Sequence, residues 1–210
     1  MPFDLSITDE LLSTTRAVRK RLDFDKPVPD EVIEKCIDLS QQAPTGSNSQ
    51  GWRWIVVRDA EKKAGLAELY RKAAGGYLGA AGDAAKEAGD KQMIRVFDSA
   101  SYLAENLERA PALVIPCLMG RPAEGVAAIS GMMGSIFPAV WSFQLALRSR
   151  GLGSCLTSLH LVFEQDAAKL LGIPDDVTQV ALLPVAYTKG TDFKHATRPD
   201  PSTIIHWDKW

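Results

Sequence analysis

The chain has 210 residues, 46% of them hydrophobic and 24% charged, with a formal net charge of −2. Such a length and composition suit one globular domain with ample material for a core, and the near balance of charge offers no electrostatic basis for binding nucleic acid. No apolar run is read as reaching the ~20 residues that span a bilayer, and Met1-Pro2-Phe3-Asp4 lacks the basic and then apolar stretch of a signal peptide, so the expectation is a cytoplasmic protein with neither a membrane nor a nucleic-acid partner.

Ile7 to Thr15 reads as a short helix, with Thr8 as its cap, Asp9 and Glu10 in the first turn, and Leu11 and Leu12 facing inward. Arg16, Arg19, Lys20 and Arg21 then place four cations in six residues. They form either a solvated charged face or a short loop aiming Arg16 and Arg19 at one anion, a task for which the bidentate guanidinium is well shaped. Asp25-Lys26-Pro27-Val28-Pro29 is extended by its prolines. Asp30 and Glu31 open a second helix with Val32, Ile33, Cys36, Ile37 and Leu39 at helical spacing.

Pro44 ends that helix and leads into Thr45-Gly46-Ser47-Asn48-Ser49-Gln50-Gly51. Five hydrogen-bonding side chains in six residues make either a polar turn or a loop shaped for a polar, planar ligand. Trp52 to Val57 is a strand by its aromatic and β-branched content. Asp59 to Lys72 is a helix with Leu66, Leu69 and Tyr70 inward. Residues 75–90 are rich in Gly and Ala and read as a mobile connection or lid with some helical character. Gly76 to Gly82 does not fit the dinucleotide fingerprint.

Lys91 to Arg109 is helical, with Met93, Val96, Phe97, Tyr102, Leu103 and Leu107 as core candidates. Ala112 to Met119 is a nearly all-apolar strand, the pattern of burial on both faces. From Glu124 to Arg150 a long helix is apolar on more than one stripe, suggesting a subunit interface as well as a core, with Pro138 as a candidate kink or break. Gly151 suits a helix C′ position before a strand ending near Thr157. Gly151-x-Gly153 lacks the third glycine and the preceding strand of a Rossmann motif. Phe163 to Leu171 is a helix stopped by Gly172, and Thr178 to Tyr187 is a buried strand. In the tail, residues 188–210, Ile204, Ile205, Trp207 and Trp210 need a surface to pack on, which a partner subunit would provide. Four strands and five or six helices in mixed order make an α+β single domain, a central sheet flanked by helices.

Cys36, Cys117 and Cys155 are far apart and contain no C-x-x-C pair, against a disulfide framework or zinc ribbon. His160, His195 and His206 lack the spacing of a metal-binding pair. No Ser/His/acid or Cys/His set is placed together by the sequence, so covalent catalysis by a side chain is disfavoured. Cys155 reads as a structural thiol and His160 as a packed residue.

The segments Thr15-Arg16-Ala17-Val18-Arg19, Ala43 to Trp52, Gly151-Leu152-Gly153-Ser154, and Leu183 to Tyr187 followed by Arg198 together resemble the FMN-dependent nitroreductases, in order and rough spacing from about Thr14 to Trp210. The loop is the most specific of these motifs. The resemblance implies a nitroreductase-like fold with a mixed, mostly antiparallel sheet, in an intertwined homodimer holding two FMN at its interface. It assigns the FMN phosphate to Arg16, Ala17, Arg19 and the tail Arg198. Pro44, Thr45, Gly46, Ser47, Asn48 and Gln50 would border the flavin of the other subunit, and Leu156, Thr157, Ser158 and Leu159 would face the ring. Thr15, Ala17, Gly51 and Ala186 stand where the family often has Arg, Ser, Pro and Gly.

The implied activity is hydride transfer from NAD(P)H through FMN to a nitroaromatic or quinone acceptor in one shared slot, with no metal and no catalytic side chain. The alternative is FMN storage, or a specialised dehalogenating or flavin-degrading member.

Overall fold

The computed structural model describes residues 3–210, among which eight α-helices and six strands are formed. In chain order these are α1 (Leu5–Thr14), β1 (Leu22–Asp23), α2 (Asp30–Ser40), β2 (Trp52–Val57), α3 (Ala60–Ala74), α4 (Tyr77–Glu87), α5 (Lys91–Asn106), β3 (Ala112–Met119), α6 (Val126–Gly134), α7 (Phe137–Arg148), β4 (Leu152–Ser154), α8 (Glu164–Leu171), β5 (Val177–Gln179) and β6 (Leu183–Thr188). The sheet runs β1-β6-β3-β2, with β4 against β6 and β5 against β3. Every ladder is antiparallel; parallel pairing occurs only as single bridges, such as Ala17 with Ser154. The fold is α+β, as expected.

Strand β3 organises the core, because strict alternation sends its side chains to two opposite layers. Leu113, Ile115 and Cys117 join Leu66 and Tyr70 of α3 and Leu103 of α5. Ala112, Val114 and Leu118 join Ile33 and Cys36 of α2 and Phe143 and Leu147 of α7. The run from Ala112 to Leu118 is buried throughout, which is why it reads as continuously apolar.

Several local expectations need correction. Helix α1 begins at Leu5 because Asp4, not Thr8, is its cap: the Asp4 carboxylate accepts the N–H groups of Ser6 at 2.9 Å and Ile7 at 3.3 Å. Thr8 instead donates its hydroxyl to Asp4 O at 2.8 Å, and Leu12 is 51% exposed. Met93 and Val96 are also substantially exposed. Within residues 75–90, read as a connection or lid with some helical character, Tyr77–Glu87 form α4, which buries Leu78 and Ala85 and sets Tyr77 edge-on to Phe97 of α5 at 6.2 Å.

The long apolar helix is two helices. By length and composition Val126–Arg148 would cross a bilayer, contrary to the reading of the run lengths, but it breaks at Ser135 and Ile136, and Pro138 lies in the first turn of α7. Proline is accommodated there since the N–H it lacks would have no partner. Each half is well short of the ~20 residues a span requires, and α7 turns Ala139, Val140, Phe143 and Leu147 into the core.

The strand expected over Thr178 to Tyr187 is likewise two. In β5 Gln179 faces Cys117, whereas in β6 Leu183 faces Val114, so the register slips by one residue between them. The extra residue makes a β-bulge, a feature that re-aims the chain beside functional sites. Leu182, freed from β3, exchanges two backbone hydrogen bonds with Thr157, at 2.8 and 3.0 Å.

Candidate functional site

The arginine segment is held by strand-like pairing. Val18 N–H donates to Ser154 O at 2.9 Å, and the Val18 side chain is buried. This approach requires Gly153: a Cβ there would stand 2.8 Å from Thr188 Cγ2 and 3.0 Å from Val18 Cβ. The glycine of the Gly151-Leu152-Gly153-Ser154 motif therefore seats the arginine segment against β4.

Arg16, Ala17, Arg19 and Arg198 line one cavity of about 670 Å³, together with Trp141 of α7 and His195. The basic run divides by partner. Lys20 pairs with Asp98 and Arg21 with Asp192, while among the described residues none of Arg16, Arg19 and Arg198 is in an ion pair. Three guanidiniums around one cavity without a carboxylate make a local excess of positive charge suited to a phosphate.

The tail carrying Arg198 is tied down by residues that sequence reasoning did not single out. Phe193 is flanked by the guanidiniums of Arg21 at 4.2 Å and Arg148 at 4.6 Å. Arg148 also donates to Thr191 O at 3.0 Å, and Arg16 donates to Lys194 O at 2.9 Å. Phe193 offered only a weak signal, an aromatic among charged residues.

The loop from Pro44 to Gln50 lies against α6 and the Ser135 turn that follows it, and none of its residues lines the arginine cavity. Gly46 N–H donates to Ser135 Oγ at 3.0 Å, and the Trp52 indole donates to Ser135 O at 2.7 Å. Inside the loop Gln50 N–H donates to Thr45 Oγ1 at 3.2 Å and the Gln50 amide donates to Asn48 Oδ1 at 2.9 Å. Backbone freedom is needed at Ser47 (φ 52°), Asn48 (φ 52°) and Gln50 (φ 48°), not at Gly46. Non-glycine residues held there store strain of order 1–3 kcal/mol each, a condition concentrated at ligand clamps. Ser47, Asn48 and Gln50 are exposed.

Segment Leu156 to Leu159 follows β4, and none of its four residues lines the arginine cavity. The Thr157 N–H is engaged by Leu182, and the Thr157 hydroxyl is 3.0 Å from the Tyr70 hydroxyl. Leu156 and Ser158 are exposed. Cys155 beside them is 1% exposed, and burial raises its thiol pKa although Arg19 pulls the other way. Burial pushes the Cys117 thiol up to about 12. Neither is poised as a thiolate. His160 is fully buried, both ring nitrogens lack a hydrogen-bond partner among the described residues, and burial lowers its pKa to about 4. Burial thus favours the neutral ring.

Fold and sequence together place the chain in a family. The Nitroreductase family profile matches residues 12–187, and the chain belongs to that family. It is 24% identical over 96% of its length to an Archaeoglobus fulgidus protein with a provisional NADH dehydrogenase/NAD(P)H nitroreductase name, spanning 97% of it. It is 28% identical to rat iodotyrosine deiodinase 1 over 91% of its length and 64% of that protein. Among solved structures, an iodotyrosine deiodinase bound to FMN and 3-iodo-L-tyrosine superposes with a TM-score of 0.71 at 20% identity, covering 96% of this chain and 99% of that one.

Proposed function

We propose that the protein is an FMN-dependent oxidoreductase that takes reducing equivalents from NAD(P)H and delivers them to a small organic acceptor, a nitroaromatic or a quinone. The observation that carries this reading is the cavity where Arg16, Arg19 and Arg198 meet without a counter-charge. These residues would hold the FMN phosphate, beside the backbone of Ala17. Leu156, Thr157, Ser158 and Leu159 would face the ring. Bound FMN would supply the electron transfer, and the chain would bind, orient and exclude water. Donor and acceptor would use the same open slot in turn.

The reading includes a homodimer. The strained Pro44–Gln50 loop lies outside the chain's own arginine cavity, which fits a loop that borders a partner's flavin. Val126 at 83%, Trp207 at 82% and Trp210 at 100% exposure provide apolar surface for such a partner, with residues 188–210 as the arm that reaches it. Helix α4 would act as the lid, and the cytoplasm is the proposed compartment.

Purified protein is expected to carry or take up FMN. Arg16→Ala and Arg198→Ala are each expected to weaken FMN retention by about 1–3 kcal/mol, the scale of a lost charge-assisted hydrogen bond. Unchanged affinity in both variants would move the phosphate site elsewhere.

The deiodinase relatives support a second reading, reductive dehalogenation of an aromatic ring. Anaerobic NADH or NADPH is expected to bleach the bound flavin within seconds, and a nitroaromatic to restore its colour. Failure of both nicotinamides, with recovery of chemically reduced flavin by a halogenated aromatic, would favour the second reading. Recovery by neither acceptor would favour FMN storage.

A further inference from the structure

Tyr70 is read from the sequence only as a core residue of α3, and its ring is one: it is 3% exposed and packs with Leu66, Leu103 and Ile115. Its hydroxyl is the polar group that a buried tyrosine must satisfy. It lies 3.0 Å from Thr157 Oγ1, a contact in which either oxygen could donate.

Hydrogen accounting decides the direction. Among the described residues the Tyr70 hydroxyl has no other partner. If Thr157 donated, the phenolic hydrogen would be buried without an acceptor, at a cost of roughly 1–3 kcal/mol. Tyr70 therefore donates and Thr157 Oγ1 accepts. The Thr157 hydroxyl hydrogen then points away from Tyr70 and has no acceptor among the described residues. Thr157 is only half-buried, between exposed Leu156 and Ser158, so that direction is open.

The rest of Thr157 cannot turn to compensate. Its N–H and C=O are both engaged by Leu182, at 3.0 and 2.8 Å, through the bulge between β5 and β6. The residue is clamped on its backbone by Leu182 beside the sheet and on its hydroxyl by Tyr70 of α3.

We propose that Tyr70 is a positioning residue that locks the Thr157 hydroxyl as an outward-facing hydrogen-bond donor to the edge of a bound flavin. The inference rests on the FMN reading above. A fixed donor needs no reorganisation when negative charge develops on the ring, and a hydroxyl that is itself accepting a hydrogen bond is a stronger donor. The pair would favour the reduced flavin without a charged side chain.

The test is potentiometric titration of FMN-loaded wild type, Tyr70→Phe, Thr157→Val and the double variant, beside urea unfolding of the same four flavin-free proteins. Tyr70→Phe, which keeps the ring, is expected to lower the flavin midpoint potential. Thr157→Val is expected to lower it further, and the double variant no further than Thr157→Val alone. Thr157→Ser, which keeps the hydroxyl, is expected to hold the wild-type potential. In the flavin-free proteins the two changes are expected to be non-additive in stability. A potential unmoved by Tyr70→Phe, additive shifts, or additive stabilities would overturn the inference while FMN binding stands. Wild-type protein that takes up no FMN would overturn both readings together.

Discussion

Phe143→Ala is expected to destabilise the protein by about 3–5 kcal/mol, the range for removing a fully buried aromatic ring. Phe143 is completely buried on α7 and packs tilted against Trp54 of β2, with ring centroids 5.1 Å apart. Its neighbours in that layer come from β3, β4, β6, α2 and α7. Because these elements are held from several sides, the site cannot collapse fully around an alanine. Urea unfolding should show the midpoint fall with an unchanged slope. A loss under about 1 kcal/mol, well below the expected range, would mean that α7 is not seated in the core as described. The same helix carries Trp141 into the arginine cavity and Arg148 against Phe193, so the proposed retention of FMN should weaken along with stability.

The second large effect is a dependence of stability on pH through His160. Its pKa lies at about 4 in the fold against an ordinary 6.5, because burial disfavours the charged ring. Glu164 of α8 is the charged group that opposes this shift, and its own charge is engaged by Arg121 through two short hydrogen bonds of 2.6 and 2.7 Å. The folded pKa is depressed, so His160 contributes its stability above pH 6.5. Between pH 6.5 and 4 the unfolded chain takes up a proton that the fold refuses, and stability falls by about 3 kcal/mol before levelling below pH 4. Acidic residues with lowered pKa, Glu164 among them, add losses at lower pH. The relevant measurement is therefore the difference in slope between wild type and His160→Leu from pH 7 to pH 4. Parallel slopes would show that His160 is not buried as a neutral ring.

How the site came to be legible differs from residue to residue. The β3 bounds followed from composition alone, because a strand buried on both faces has no polar position to confuse its pattern; β2, buried only in part, was marked by its aromatic and β-branched residues. The stretch from Thr178 to Tyr187 reads as one strand since a bulge leaves no mark in hydropathy; the slip exists only relative to β3. Helix α1 was started late because Asp4 and Thr8 are both competent caps, and only the backbone geometry chose between them. The loop's positive φ angles fall at Ser47, Asn48 and Gln50 rather than at its glycines, and composition carries no mark of that choice.

The sequence by itself determined the chemistry available to this protein: a basic segment near one end, a Ser/Asn/Gln loop, a glycine-bearing strand, a tail arginine, and no thiolate or metal-binding pattern. Helical and alternating periodicities, which are local, determined most elements. Only the tertiary structure decided which of the four cations from Arg16 to Arg21 stand outside an ion pair among the described residues, because the partners that neutralise Lys20 and Arg21 lie 78 and 171 positions away. It alone brought Tyr70 to Thr157 across 87 positions. Charge and hydroxyl groups report their type locally, but their pairing is a property of space, and pairing decides whether such a group supports the fold or is left for a ligand.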